Sequence, residues 1–165
     1  MTPEDDLRLA GRVDVPVLVT ADSRRQRNMC ARLIHDSRGY QRPFVTFSVN
    51  EPGGAVVEKA NGSWRVHDRQ DIVLQRQFEL ARGGTLFIDD IADLRAATQA
   101  LLHSLLDERL RRLPSDRPSG ARVRLVAGAS RHLDDDRATG AFCSLLFYRL
   151  NLIHIDFIPH ARLSR

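Results

Sequence analysis

The sequence predicts an open α/β fold, a mostly parallel five-stranded sheet with helices on both faces, and three observations lead there. Thr85-Leu86-Phe87-Ile88 runs from the pair Gly83-Gly84 straight into Asp89 and Asp90. A short apolar run bounded in this way reads as a central, fully buried parallel strand. Other β-rich runs alternate along the chain with stretches of helical periodicity, the pattern of strand–helix–strand units. The longest helical pattern directly follows the central strand, and right-handed crossovers of this kind place helices on both sheet faces. Ligands in such sheets sit at the carboxyl ends of the strands, which makes Asp89 and Asp90 candidates for a metal–nucleotide site. The plainer alternative is that Asp90 or Asp93 starts the next helix.

In chain order, residues 1–12 are polar, a frayed lead-in or a short helix. Val15–Thr20 is the first strand, with Pro16 near its start, where a missing N–H is tolerated. Ala21-Asp22-Ser23 is a turn. From Arg24 to Arg38, Met29, Ala31, Leu33 and Ile34 supply an apolar helix face, and Gly39 ends it. Phe44–Val49 is a strand. Pro52, Gly53, Gly54 and Gly62 mark 50–63 as a loop, followed by a short strand at Trp64–His67 and a helix from Ile72 to Ala81. After the central strand, Asp93 caps a helix running to Leu113. Leu94, Ala97, Leu101, Leu102, Leu105, Leu106, Leu110 and Leu113 form one stripe on it, read as core. Pro114 stops that helix and Ser115–Gly120 is a mobile loop. Val123–Ala127 is a strand, Leu133–Gly140 is turn-like, Phe142–Leu150 is a helix, and Leu152–Ile158 is the last strand before Pro159.

Composition narrows the function classes. A chain of 165 residues suits one domain; the division is a lead-in over 1–14, the domain over 15–159 and a tail over 160–165. No apolar run approaches a membrane span and no leader pattern opens the chain, so a cytoplasmic protein is expected. Cys30 and Cys143 have no metal-ligand spacing and give no disulfide framework. The net charge of +4 invites a nucleic-acid reading. Lys59 is the only lysine, however, and the arginines are spread among 21 acids rather than gathered in a block. Codon bias explains that skew more simply than phosphate binding. His35, His103, His132 and His154 share no spacing, and Ser23 and Ser130 lack a nucleophile elbow or a local base.

Three separated stretches together resemble one family. Gly83–Asp93, reading GGTLFIDDIAD, is similar to the Walker B segment (GGTLFLDEIGD) of bacterial sigma-54-dependent transcription activators, whose central module is an AAA+ ATPase. Val17–Thr20 followed by Ala31–His35 resembles that family's first strand and the helix after its P-loop. Phe147–Ile155 resembles its YRLNVIPI-type stretch near the subunit interface. The resemblance runs from about Val15 to Ile158 and implies a P-loop-type AAA+ core; a helical lid, a receiver domain and a DNA-binding helix-turn-helix are not expected here.

The departures are as specific. Where the family has GESGTGKE, this chain has Ala21-Asp22-Ser23-Arg24-Arg25-Gln26-Arg27-Asn28. The glycines that let backbone N–H groups cradle phosphates are gone, and Arg27 takes the place of the phosphate-binding lysine. Asp90 stands for the catalytic Glu, one methylene shorter. Ala129 and Ser130 replace polar sensor residues. Of two trans-acting arginines, the first aligns with Cys143 and only Arg149 remains. Arg65–Gln70, the nearest counterpart of the GAFTGA loop, shares nothing with it.

The resemblance and its departures imply a non-catalytic regulatory module in transcription control, acting through contacts with another protein, such as a full-length AAA+ activator or a sigma factor. No cofactor and no membrane are expected in this reading. One alternative is a divergent ATPase that remodels a transcription complex, holding Mg-ATP with Asp89 on the metal; another is an inactive relic fold. Asp89, Asp90 and Arg149 are then vestiges of catalytic positions, and Ser23, Arg27 and Asn28 vestiges of nucleotide-binding ones. Whether copies of the chain self-associate is open at this point.

Overall fold

The computed structural model describes residues 2–37, 41–50, 56–60, 63–67, 69–111 and 122–158. Its elements are α1 (Pro3–Arg12), β1 (Val17–Thr20), α2 (Arg24–Asp36), β2 (Phe44–Ser48), β3 (Val56–Ala60), β4 (Ser63–His67) and α3 (Arg69–Leu80). Then follow β5 (Thr85–Asp89), a 3-10 turn (Ile91–Asp93), α4 (Ala96–Arg111), β6 (Arg124–Ala129), α5 (Asp134–Ala138), α6 (Ser144–Leu150) and β7 (Ile153–Asp156). The main sheet has the order β2-β5-β6-β1-β7, all parallel, with β3 and β4 as a separate antiparallel pair. Strand β5 has a neighbour on each side and every residue of it is buried, which is what its unbroken apolar run requires.

Strand alternation divides the core in two. Leu86 and Ile88 of β5 and Leu125, Ala127 and Ala129 of β6 face a layer formed by α3, α4 and α6, through Leu74, Leu102, Leu106, Leu146 and Leu150. Phe87, Val126, Val17 and Val19 face the other way, against Ala10 of α1 and Cys30, Ala31 and Ile34 of α2. By the same period of two, Asp89 falls on the α2 side, and Gly128 lies beside it on β6. Helix α1 opens on a capping box between Thr2 and Asp5, with Pro3 at its first position, and packs on α2 and β7. Among the described residues no helix is long and apolar enough to cross a membrane.

Five expectations change, the first on α2, where Met29 and Leu33, expected on the apolar face, are exposed while Cys30, Ala31 and Ile34 are buried. Residues 56–60, expected within a loop, form β3, which pairs with β4 from Val56↔His67 to Ala60↔Ser63. Leu133–Gly140 contains the helix α5, whose first turn of Asp134, Asp135 and Asp136 complements its dipole. Asp93 does not cap α4: it ends the 3-10 turn, and its carboxylate accepts from Asn50 and Arg131 instead. The α4 stripe is helical as expected, but its buried line runs through Thr98, Gln99, Leu102 and Leu106, with Leu101 and Leu105 half-buried and Ala97 exposed. Gln99 is tolerated there because Nε2 donates to the Leu94 and Ala141 carbonyls and Oε1 accepts from the Cys143 N–H. Arg38, Gly39, Leu113, Pro114, Ser115–Gly120, Pro159 and the 160–165 tail lie outside the described residues, as does the side chain of Leu110.

Candidate functional site

The site lies at the carboxyl end of β5, where the strand's last residue, the next turn and the start of α2 meet. Helix α2 carries a buried stripe of Arg27, Cys30, Ala31, Ile34 and His35, so Arg27 lies at the sheet-facing end of a helical line otherwise given to the core. Ser23 caps the helix, its Oγ accepting from the Gln26 N–H at 3.4 Å, and the Arg27 N–H donates to the Ser23 carbonyl at 3.1 Å. Residues 24–27 are therefore the first turn of a helix. That turn contains Arg24, Arg25 and Arg27 and no acid, which opposes the positive end of the helix dipole. Counter-charge comes from β5.

Arg27 supplies all its donors to that junction. Its Nε donates to Asp89 Oδ1 at 2.6 Å and its Nη2 to Asp89 Oδ2 at 3.2 Å, a fork-on-fork pair. Nη2 also reaches Asp90 Oδ1 at 2.8 Å, and Nη1 donates to the carbonyls of Ala21 at 2.7 Å and Asp22 at 3.2 Å. Arg27 and Asp89 are each only 2% exposed, so water screens this pair little. Arg24, mostly exposed, adds a contact from Nε to Asp89 Oδ2 at 3.3 Å. Burial, then the charge of Asp89 beside it, pushes the Asp90 carboxyl up from its ordinary range, against the pull of Arg27.

The surroundings hold this cluster in one arrangement. Asp90 adopts a left-handed backbone conformation (φ 56°, ψ 44°), which Asp tolerates better than most residues. It turns the chain into Ile91–Asp93, where Asp93 accepts from Asn50 Nδ2 at 2.9 Å and from Arg131 at 3.2 Å. Arg131 Nε also donates to Asp136 of α5 at 3.0 Å, so the end of β5 is tied to the segment after β6. Gly128 was not foreseen as part of the site. A Cβ there would stand 2.7 Å from Asp89 Oδ1, so the missing side chain gives the carboxylate its place beside Arg27. Its signal in the sequence was a glycine interrupting an apolar strand.

The other candidates lie elsewhere. Asn28 is half-buried on α2 and accepts from Arg32 Nε at 3.1 Å, one turn further along the same helix. Ala129 ends β6 as a buried residue and Ser130 follows it half-buried. Arg149 of α6 forms an ion pair with Asp107 of α4, and Cys143 is the N-cap of α6. His35 is buried, shares a hydrogen bond with Thr85 Oγ1 at 3.0 Å and packs on Phe44; burial lowers its pKa. His132 pairs with Asp156 at 3.0 Å, and His154 with Thr20 Oγ1 at 2.7 Å. Among the described residues no group of three His, Cys, Asp or Glu could hold a metal ion.

A family model described as the Sigma-54 interaction domain matches residues 4–156. The chain is similar to the Nif-specific regulatory protein of Rhizobium leguminosarum bv. trifolii, with 32% identity over 159 residues, covering 92% of this chain and 44% of that protein. It is also similar to transcriptional regulatory protein GlrR of Escherichia coli K12, with 31% identity over 160 residues, covering 92% of this chain and 35% of that one. The chain thus spans less than half the length of these relatives. Among solved structures it resembles NtrX from Brucella abortus in complex with ATP, at a TM-score of 0.66 and 21% identity, over 93% of this chain and 35% of that one. It resembles the P-loop NTPase domain of an E. coli sigma-54 activator at a TM-score of 0.60 and 20% identity, over 88% of this chain and 98% of that one. At such identities these two likenesses speak to the fold alone.

Proposed function

The chain belongs to the sigma-54 interaction domain family, and from that premise we propose that it is a regulatory module of transcription that works through protein contacts and does not turn over ATP. The observation that carries this reading is Arg27. Its guanidinium is bound to both acids at the end of β5 and to two carbonyls of the β1–α2 turn. A metal–nucleotide needs that place. A phosphate cradle needs glycines whose N–H groups point inward and a flexible lysine that reaches the outer phosphates. Here the corresponding residues are a helical turn with side chains at each position, and the acid that would hold the cation is already neutralised. Mg-ATP does not fit the residues present.

Arg149 supports the same reading. The family's surviving trans-acting position is engaged within its own chain by Asp107. Its relatives are named as regulatory proteins, so the partner proposed here is another protein of the same machinery, a full-length activator or a sigma factor. Purified chain incubated with ATP and magnesium should release phosphate no faster than the same preparation in EDTA. It should also be retained by a candidate activator in a pull-down. Magnesium-dependent turnover would replace this reading with the divergent ATPase; neither turnover nor retention would leave a fold without present activity.

A further inference from the structure

We infer that the amino edge of the main sheet holds a binding site for one phosphate-type oxyanion, formed where Arg42, Arg122 and Arg124 converge on Thr85 and His35. It lies at the other end of β5 from Asp89, roughly 13 Å along the strand, and goes beyond the role proposed above. These arginines are scattered in the sequence and gathered by the topology. Strands β2 and β6 flank β5 and run parallel to it, in the register Phe44↔Thr85↔Arg124. Residues just ahead of each strand therefore reach the same edge, Arg42 from one side and Arg122 from the other. Backbone hydrogen bonds fix both approaches: the Thr85 N–H donates to the Pro43 carbonyl at 2.9 Å and the Gly83 N–H to the Arg122 carbonyl at 3.2 Å. By the period of two, Thr85 and Arg124 face α2, as Phe87 and Val126 do. There His35 closes the recess, its Nδ1 3.0 Å from Thr85 Oγ1.

Size and charge select the ligand. The recess has about 20 Å³ of space, room for one oxygen-sized atom. Its inner wall is buried, with Arg124 and Thr85 each 3% exposed, whereas Arg42 and Arg122 are exposed. A tetrahedral oxyanion answers that division: one oxygen enters, and the others stay at the mouth between the two exposed guanidinia. Three guanidinia line the recess against one carboxylate, Asp14, so an excess of positive charge remains however Asp14 is shared. Arg124 is held in place from behind, its Nη1 donating to the Ile34 carbonyl at 3.4 Å and its Nη2 to that of Ala10. The planar guanidinium fork matches the oxygen spacing of a phosphate, which a halide does not offer.

The test compares melting temperatures in millimolar potassium phosphate and in potassium chloride of equal ionic strength, without nucleotide. Wild type should gain about tenfold in its folding constant from phosphate, which is about 3 °C or more for a domain of this size. Arg122→Gln and Arg42→Gln, both at exposed positions, should each lose most of that gain. Stabilisation by phosphate excluded from the protein surface is common to all three proteins, so the difference between them is the reading. Arg25→Gln, an exposed arginine of α2 outside the recess, should keep the gain in full. In proton–carbon spectra the ring resonances of His35 should move with phosphate and not with chloride. Phenyl phosphate separates two sources of the group: an equal gain assigns the recess to the head of a phosphate ester, and a gain from the inorganic ion alone assigns it to the free ion. Equal gains in phosphate and chloride, a gain unchanged in both recess variants, one lost equally in Arg25→Gln, or His35 resonances that stay fixed would each overturn the inference.

Discussion

Separating Arg27 from Asp89 should be strongly destabilising. Both residues are 2% exposed, and the pair is bidentate at 2.6 and 3.2 Å. Truncating one partner of a buried pair strands the other charge, at about 3–5 kcal/mol. Domains of this kind have roughly 5–15 kcal/mol in total, so Arg27→Met or Asp89→Leu should remove a large part of the stability. Replacing both removes the stranded charge. The double variant should therefore lie well above the sum of the singles, with a coupling of about 2 kcal/mol or more, within the range seen for residues in contact. It should not reach wild type, because Asp90 Oδ1 loses its 2.8 Å partner in either case. Urea denaturation of the four proteins, compared at a common slope, measures the cycle. Singles that add to within about 0.5 kcal/mol, or a single that costs less than about 1 kcal/mol, would show that the pair behaves as a solvated surface bridge.

Four further outcomes are expected. Leu102→Ala, at a fully buried position of α4, should cost about 2–5 kcal/mol, and Leu105→Ala, half-buried, distinctly less, both read from denaturant midpoints. Gly84→Ala should disrupt the start of β5 by more than an ordinary surface change, because its Cβ would stand 1.9 Å from the Pro43 carbonyl oxygen; a melting temperature within a degree or so of wild type would contradict this. Burial holds the His35 pKa below its ordinary 6.5. The unfolded chain takes up that proton first as pH falls, so the stability from a neutral His35 is present above pH 6.5 and is lost below it. His35→Gln should flatten the melting temperature over that window. Arg149→Ala should change stability by less than about 1 kcal/mol, since its pair with Asp107 is partly solvated. It should also leave any effect of this protein on an activator's ATPase unaltered; an effect seen only with wild type would place Arg149 at a heterotypic interface.

How much of this the sequence discloses depends on the range over which each signal acts. The five strands of the sheet are visible because Thr85–Ile88, Val17–Val19 and their neighbours carry enough apolar residues to satisfy two buried faces. Strand β3 is not, because the turn-forming residues Pro52, Gly53 and Gly54 ahead of it outweigh the weaker strand signal of Val56-Val57. Helix α5 has five residues, too few for periodicity to register. The stripe on α4 gives the helix but misplaces its centre, since Thr98 and Gln99 are buried by hydrogen bonds rather than by hydrophobicity. At the site, the resemblance places Asp89, Asp90 and Arg27 at related positions. What it does not disclose is that Arg27 turns inward to bond with the acids, a contact across 62 residues. The period of α2 held a hint: Arg27, Cys30, Ala31 and Ile34 share the buried face.

The central claim is that Arg27 takes the place of a nucleotide's charge and its cation. Isothermal titration of the purified chain with ATP in excess magnesium, at low and at moderate salt, tests it most directly. The account predicts no saturable heat, or at most a weak anion effect from the arginines of α2 that moderate salt removes. Saturable, salt-resistant binding of ATP that discriminates adenine from other bases would contradict it.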